Sequence, residues 1–386
     1  MNTPQGETVA LARQLIACRS VTPADGGALD LIAARLAAVG FLCERIDRGG
    51  VCNLWARHGQ ERPLVCLAGH VDVVPPGDVD AWTSDPFVPA ERDGFLYGRG
   101  ASDMKGSLAA LVTAAERIAG THPEHAGSIA LLLTSDEEGA AVDGTVAVVD
   151  ALQARGDTID ACIVGEPTSV RRLGDTVKNG RRGSLNGTLV VRGVPCHIAY
   201  PERGRNPIHM ALAALAELVT VEWDRGNEHF SPTSFQISNV HAGAGTVNVI
   251  PGSLEVLFNL RFSPESSVEG ITARVHEVLE RHGVVYDLLW NLAGAPFMTG
   301  RGRLVSTLER AISDVTSLTP ELSTGGGTSD GRFMARIATE VVEFGPVAEA
   351  MHGVDERVRV ADLGPLSVIY ERTVAALLEG DRPRPR

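Results

Sequence analysis

Residues 64–72 have the sequence Leu-Val-Cys-Leu-Ala-Gly-His-Val-Asp, and this stretch decides the fold class. Its first five residues are continuously apolar, as in a strand that is covered on both faces of its sheet. The runs Ile129–Leu133 and Ala161–Val164 have the same character, and Glu340–Phe344 is a fourth predicted strand. An Ala- and Leu-rich segment, Lys105–Ile118, predicts a crossover helix between the first two strands. This alternation indicates an α/β fold with a mostly parallel sheet and helices on both faces.

The pattern changes near Lys178–Arg182, where a more alternating sequence begins. The predicted elements that follow are strand Leu185–Val191, helix Pro207–Thr220, a strand ending at Val240, strand Leu254–Phe262 and helix Val268–His282. Their β-α-β-β-α-β order resembles a ferredoxin-like α+β sandwich. We therefore expect a catalytic domain in residues 1–182 and 296–386, with an inserted domain in residues 183–295. The tail Asp381–Arg386 is expected to be disordered.

Composition excludes several classes of function. The chain has 386 residues, with 48 Asp and Glu against 35 Lys and Arg, so its formal charge is −13. Such a charge opposes binding to nucleic acid or to anionic lipid, and we expect neither partner. There is no signal-peptide pattern and no apolar stretch of the ~18 residues that a membrane helix needs. The six scattered cysteines suit reduced thiols, so a cytoplasmic location is expected.

Titratable residues follow the predicted strands. Those that come directly after a strand, in the loop beyond one, or at the start of the crossover helix are His70, Asp72, Asp103, Glu137, Glu138, Glu166 and His352. Because the carboxyl ends of parallel strands meet at one edge of a sheet, we expect these side chains to converge.

Several carboxylates so close together would repel one another and take up protons unless a cation compensated them. Imidazole and carboxylate ligands together suit zinc or a similar first-row ion, and the set is large enough for two ions that share one ligand. Two-metal sites of this kind activate a water molecule for attack. The sequence therefore predicts metal-dependent amide hydrolysis.

Longer motifs carry a family resemblance that runs over nearly the whole chain. They are Gly69–Pro75, Gly98–Lys105, Ser135–Gly139, Val177–Leu185, His197–Pro201, Asn206–His209 and Gly326–Phe333. Together these segments resemble the ArgE/DapE family of dinuclear zinc amidohydrolases and aminoacylases.

The resemblance implies two Zn²⁺ per subunit, with Co²⁺ as an expected substitute. It assigns His70 and Glu166 to one ion, Glu138 and His352 to the other, and Asp103 as the bridge between them. The carboxylate of Asp72 would accept the imidazole proton of His70, and Glu137 would act as general base and acid. His197 would reach across from the other subunit to stabilise the oxyanion, which implies a homodimer built through the inserted domain.

The implied reaction is hydrolysis of N-succinyl-LL-2,6-diaminopimelate to succinate and LL-2,6-diaminopimelate, in lysine biosynthesis. This substrate has three carboxylates and one ammonium group, and arginine is suited to hold carboxylates. The resemblance nominates as substrate contacts Arg181, Ser184, Tyr200, Asn248, Arg261, Gly327 and Thr328.

Other interpretations stay open at this stage. Asp103 could be a helix N-cap, and the glycine run before Thr328 could be a flexible turn. Val247 and Ala348 replace asparagines that are usual in enzymes acting on this substrate. These departures favour a related deacylase, such as an acetylornithine deacetylase-like enzyme or an aminoacylase. A catalytically silent ligand-binding relative is a further alternative.

Overall fold

The computed structural model describes residues 3–121, 123–243 and 245–379, and the chain divides into two compact units. The first unit has the bounds Met1–Gly180, Met298–Ser323 and Ser329–Arg386, and the second has the bounds Arg181–Phe297 and Thr324–Thr328. The tail Asp381–Arg386, predicted to be disordered, lies outside the described residues.

The described helices are α1 (Pro4–Ala17), α2 (Ala28–Ala38), α3 (Gly106–Thr121), α4 (Thr145–Ala154), α5 (Pro207–Leu218), α6 (Val268–Arg281), α7 (Arg303–Thr316), α8 (Gly331–Met334) and α9 (Val360–Leu378). The described strands are β1 (Leu42–Arg45), β2 (Asn53–His58), β3 (Leu64–His70), β4 (Ala90–Arg92), β5 (Phe95–Tyr97), β6 (Ser128–Thr134), β7 (Ile159–Val164), β8 (Thr176–Lys178), β9 (Gly180–Arg181), β10 (Gly183–Arg192), β11 (Cys196–His197), β12 (Ser234–Ala242), β13 (Val249–Ile250), β14 (Ser253–Phe262), β15 (Tyr286–Gly294), β16 (Phe297–Met298), β17 (Glu321–Ser323), β18 (Ala338–Glu343) and β19 (Arg357–Arg359).

An eight-stranded mixed sheet forms the centre of the first unit, in the order β1-β2-β6-β3-β7-β18-β8-β17. The strands β6, β3, β7 and β18 pair in parallel, while β1 and β2 add antiparallel pairs on one side. The four predicted strands are these four parallel strands, so the predicted α/β fold is confirmed. Every residue of β3 and β6 is buried because helices cover both faces of the sheet.

The second unit has its own sheet and its own core. Its four strands lie in the order β12-β14-β10-β15 and all pair antiparallel. Together with α5 and α6 they complete the predicted β-α-β-β-α-β order, with β15 as the final strand. The apolar side chains of β10 and β14 alternate between buried and partly exposed positions, as expected for a sheet covered on one face.

The predicted domain boundaries differ from the two units at residues 181–182, 296–297 and 324–328, all of which group with the second unit. Residues 324–328 were expected in the catalytic domain, but they group with the second unit. Thr324 donates a hydrogen bond to the carbonyl of His229, and the guanidinium of Arg181 donates to the carbonyl of Gly325. A boundary drawn along the chain cannot anticipate such a return.

Within the described part of the chain, no helix combines the length and the apolar character needed to cross a bilayer. The six cysteines are free in the structure.

Asp224 organises the loops at one end of the second unit. Its carboxylate accepts hydrogen bonds from the backbone N–H of Gly226 (2.8 Å) and of Thr233 (3.0 Å). It also accepts from the hydroxyls of Ser263 (3.0 Å), Ser266 (2.5 Å) and Thr233. Burial opposes ionisation, but the hydrogen bonds from Ser266 and Thr233 outweigh it and lower the pKa of Asp224 to about 2.

We therefore expect Asp224→Ala to lower the free energy of unfolding at pH 7 by about 1–2 kcal/mol, since the carboxylate is partly solvated. Its folded-state pKa is depressed, so its contribution is present above the unfolded pKa and is lost as the pH falls from about 4 towards 2. Urea unfolding at several pH values measures this difference. Asp287→Ala, which removes an exposed ion pair with Arg192, is the control and should change stability by less than about 1 kcal/mol. Equal losses in both variants would contradict the assignment.

Candidate metal centre

His70 and Glu166 lie next to each other because the strands that precede them are parallel neighbours. The register pairs Ala68 of β3 with Val164 of β7, so both strands reach the same edge together. The Nε2 atom of His70 lies 3.7 Å from a carboxylate oxygen of Glu166, and both side chains are buried.

Glycines precede both residues for a steric reason. A Cβ at Gly69 would lie 2.4 Å from Cε of Met104, and one at Gly165 would lie 2.6 Å from the same atom. The thioether of Met104 therefore packs against both strand ends at a distance that a side chain at either position would prevent.

Asp103 lies between the two histidines. One carboxylate oxygen is 3.2 Å from Nε2 of His70, and the other is 3.4 Å from Nε2 of His352. The residue belongs to a turn, Ala101–Lys105, in which Asp103 itself has a non-helical backbone (φ −122°, ψ 98°). Helix α3 starts only at Gly106, so the alternative of an N-cap is wrong: the carboxylate faces the two imidazoles.

Glu138 and His352 complete the cluster. Nε2 of His352 lies 2.9 Å from a carboxylate oxygen of Glu138. Among the described residues, the ligand atoms form two groups within 4.8 Å, one of His70, Asp103 and Glu166 and one of Asp103, Glu138 and His352. The structure thus brings all five predicted ligands together, with Asp103 common to both groups.

The position of Asp72 corrects one expectation. The Nδ1 atom of His70 is 2.9 Å from the backbone carbonyl of Asp72 but 3.6 Å from its carboxylate. The carboxylate instead accepts hydrogen bonds from the backbone N–H groups of Glu137 (3.3 Å) and Glu138 (3.1 Å). Asp72 therefore orients the imidazole through its main chain, while its side chain holds the segment that carries both glutamates.

The carboxyls and imidazoles of the cluster are close enough to shift one another's pKa values. Burial and the neighbouring Asp103 raise the pKa of Glu166 well above its ordinary value. Hydrogen bonds to Asp103 and Glu138 raise the pKa of His352 to about 10. Burial would raise the pKa of Asp103, but the hydrogen bonds from His352 and His70 outweigh it and lower the pKa. Each group thus offers one imidazole and two carboxylates, a donor set that fits a first-row divalent ion.

Glu137 is in neither of the two groups of ligand atoms. Burial raises the pKa of its carboxyl to about 8, and the guanidinium of Arg332 lies 4.0 Å away. The guanidinium of Arg332 also donates to the carbonyl of Ser329 and lies over the ring of Phe333.

Buried Asp330 is a further charged neighbour of Glu137, and it accepts a hydrogen bond from Thr145. Burial raises the pKa of Asp330 to about 6. The motif Gly326–Phe333 contains Asp330 and Arg332, but neither residue received a role in the sequence analysis, because their proximity to Glu137 is a tertiary contact.

The predicted substrate contacts belong to the second unit. Ser184 and Arg261 face each other across the β10–β14 register. The hydroxyl of Ser184 accepts a hydrogen bond from Asn259 (3.0 Å), and the guanidinium of Arg181 donates to the carbonyl of Gly325 (2.8 Å). Gly327 and Thr328 lie in the returning segment 324–328.

His197, Tyr200 and Asn248 form a separate exposed group. The backbone carbonyl of Asn248 accepts from Ile198, and the rings of His197 and Tyr200 are 5.9 Å apart. Nδ1 of His197 accepts a hydrogen bond from the backbone N–H of Ala199 at 3.1 Å. That bond favours the neutral tautomer with the proton on Nε2, which leaves Nε2–H as a donor towards solvent.

Comparisons with known proteins were made for the whole chain. A family model described as peptidase family M20/M25/M40 matches residues 66–376. A protein of Azoarcus sp. (strain BH72), named succinyl-diaminopimelate desuccinylase, is 61% identical over 378 residues, which cover 98% of this chain and 100% of that protein. A protein of the same name from Aromatoleum aromaticum is 61% identical over 373 residues, which cover 97% of each chain.

Solved structures give the same fold at low identity. An M20 family metallo-carboxypeptidase from Sulfolobus solfataricus superposes with a TM-score of 0.82 at 15% identity, covering 96% of this chain and 98% of that one. At this identity the likeness concerns the fold alone.

The shared position of Asp103 leads to a prediction about metal binding. Apo protein titrated with Zn²⁺ in a calorimeter should bind two ions per chain, and Asp103→Asn should weaken binding by about 100-fold or more. Replacing a residue that merely supports a metal ligand typically lowers metal affinity by about 10–100-fold. The loss of a direct ligand should therefore be at least as large. The control is Glu116→Gln, which removes an ion pair between Glu116 on α3 and Arg35 on α2. This variant should bind Zn²⁺ as the unaltered chain does. Unchanged binding by Asp103→Asn would contradict its place in both groups.

Proposed function

Since the chain belongs to peptidase family M20/M25/M40, we propose that it hydrolyses N-succinyl-LL-2,6-diaminopimelate to succinate and LL-2,6-diaminopimelate. The observation that carries this proposal is the convergence of five imidazole and carboxylate ligands near a partly buried glutamate, Glu137. Relatives that are 58–61% identical along nearly the whole chain are named for this reaction. They also agree with the family resemblance that the motifs indicated.

His70 and Glu166 would hold one divalent ion, Glu138 and His352 would hold the other, and Asp103 would contact both. We propose Zn²⁺ at both positions, with Co²⁺ as a substitute, because the mixed nitrogen and oxygen donors suit these ions. When bound, the two ions polarise the amide carbonyl and lower the pKa of water.

Glu137 then moves the proton. It takes one from the attacking water as the oxygen bonds to the amide carbon, and it gives that proton to the nitrogen as the carbon–nitrogen bond breaks. Burial raises the pKa of this carboxyl, and a raised pKa helps it to hold the proton between these steps. Asp72 supports the transfer by fixing the backbone amides of Glu137 and Glu138.

The second unit would recognise the substrate and serve as the dimerisation and lid domain. We assign the substrate carboxylates to Arg181 and Arg261, and polar contacts to the other nominated residues, Ser184, Tyr200, Asn248, Gly327 and Thr328. Arg181 is 7% exposed and held by Gly325, so little side-chain freedom is lost when it binds an anion.

We further propose a homodimer in which the partner subunit's His197 donates to the developing oxyanion. The Nε2–H that the contact with Ala199 favours is the donor this role requires. Exposed apolar side chains of the second unit, among them Ile198 and Val240, are available for the interface. A cytoplasmic location agrees with the free cysteines.

A related deacylase remains the second candidate, and Val247 is the observation that favours it. Its side chain is 93% exposed, so it is available to a ligand but offers no polar contact. A silent ligand-binding relative is less well supported, because Glu137 is present and lies partly buried near the ligand cluster.

A four-substrate assay tests the proposed function. The metal-loaded protein should show a kcat/KM at least tenfold higher on succinyl-diaminopimelate than on acetyl-diaminopimelate, acetylornithine or succinylornithine. Exhaustive chelation should abolish turnover, and added Zn²⁺ or Co²⁺ should restore it. Preference for any of the other three would reject the substrate, and full turnover after chelation would reject the metal centre.

The shared site predicts complementation between two inactive variants. Glu137→Ala and His197→Ala should each lower kcat by about 100-fold or more while metal content stays unchanged, since both groups act in the transition state. Mixed after verified subunit exchange, they should regain part of the activity, because a mixed dimer has one complete site. Loss of zinc from His197→Ala would instead make it a ligand, and no recovery in the mixture would count against sharing.

A further inference from the structure

A buried carboxylate holds the turn that carries Asp103. One oxygen of Glu356 accepts hydrogen bonds from the backbone N–H of Ser102 (2.9 Å) and of Asp103 (3.0 Å). The other accepts from the N–H of Gly100 (2.8 Å) and from the guanidinium of Arg99 (2.7 Å). The residue is 1% exposed, so these four donors fill its acceptor positions in the absence of bulk water.

Arg99 extends this contact to the other side of the cluster. It is 2% exposed, and its second terminal nitrogen points at the backbone carbonyls of Pro75 and His352, both at 3.4 Å. Its guanidinium also lies over the ring of Trp82, 5.1 Å from the ring centroid. The pair of Arg99 and Glu356 therefore contacts the main chain of Asp103 and of His352.

Strand pairing fixes where Glu356 stands. Strand β19 pairs antiparallel with β5, with Arg357 opposite Tyr97. One position further, the N–H of Gly98 donates to the backbone carbonyl of Glu356 at 3.0 Å. The backbone register of these two strands thus places the Glu356 carboxylate at the Gly98–Asp103 turn.

The loop before Glu356 needs such support. His352 has a φ of +59° and Asp355 a φ of +56°, both in the left-handed region that residues other than glycine rarely adopt. Such conformations persist only where surrounding contacts impose them. Here Asp355 accepts hydrogen bonds from the backbone N–H (3.0 Å) and the hydroxyl (2.5 Å) of Thr83, while Arg99 approaches the carbonyl of His352.

We propose that Glu356, together with Arg99, is a positioning residue of the metal centre, and that it sets the distance between Asp103 and His352. This inference rests on the metal centre of the proposed function. Asp103 belongs to both groups of ligand atoms and His352 to one, so the pair fixes one group relative to the other. The four partners of Glu356 are all N–H donors. In Glu356→Gln, the NH₂ group of the amide would face some of these donors, so at least one hydrogen bond would be lost.

The motif Gly98–Lys105 and the loop that reaches His352 were both recognised in the sequence, yet neither Arg99 nor Glu356 received a role. They are separated by 257 positions along the chain, and only the folded β5–β19 pairing brings them together.

The test uses the full chain and compares Glu356→Gln with Glu116→Gln. Glu116 lies on α3, forms an ion pair with Arg35, and is in neither group of ligand atoms. Zn²⁺ titration of the apo proteins and the visible absorption spectrum of the Co²⁺-loaded proteins are measured. Glu356→Gln should bind at least one ion tenfold or more weaker and show an altered Co²⁺ spectrum. Its kcat should fall at least tenfold while KM changes less than threefold. Glu116→Gln should match the unaltered chain in all of these.

A Glu356→Gln protein with unaltered metal affinity and spectrum that loses only thermal stability would overturn the inference. If this variant does not fold, Arg99→Lys, which keeps the charge but not the planar fork, takes its place with the same expected direction. An unaltered chain that binds no metal would overturn the proposed function as well. Two normal sites in the unaltered chain with no effect in either variant would overturn this inference alone.

Discussion

The structure depends on how negative charge is compensated at one edge of the central sheet. Asp103 shares one group of ligand atoms with Glu166 and the other with Glu138, and partly buried Glu137 lies near them. Carboxylates this close in a poorly solvated place repel strongly unless positive charge is supplied. The two histidines, when protonated, supply part of this positive charge. The two groups of ligand atoms could bind metal cations that supply the rest. The parallel register of the buried strands β3 and β7 brings the ligand segments at their ends to this edge.

Much of this could be predicted from the sequence because the signals are local. Continuous apolar runs marked the four parallel strands, and the polar residues that follow three of them identified His70, Glu138 and Glu166. Asp103 was found at the start of the crossover helix. His352 lies in the loop beyond the fourth strand, and the family resemblance assigned it as a ligand. The inserted unit was visible from the change of pattern near residue 182, and its final strand β15 completed the predicted order.

The features that could not be predicted depend on which atom of a residue makes a contact, or on which distant segments pair in the fold. Asp72 was expected to hold His70 through its carboxylate, yet it does so through its carbonyl, because the carboxylate is used by two backbone amides. Arg332 beside Glu137, and the return of residues 324–328 to the second unit, arise from pairings between distant segments. No local pattern marks such pairings.

All five clustered ligands, and Glu137 with them, come from the first unit, whereas every nominated substrate contact comes from the second. The ligand cluster and the nominated substrate contacts are thus carried by different units, and only the role proposed for His197 would join the second unit to the bond-breaking step. Because Val247 belongs to the second unit, substitutions at this position are expected to change which acylated amino acid is accepted while the metal ligands stay unaltered.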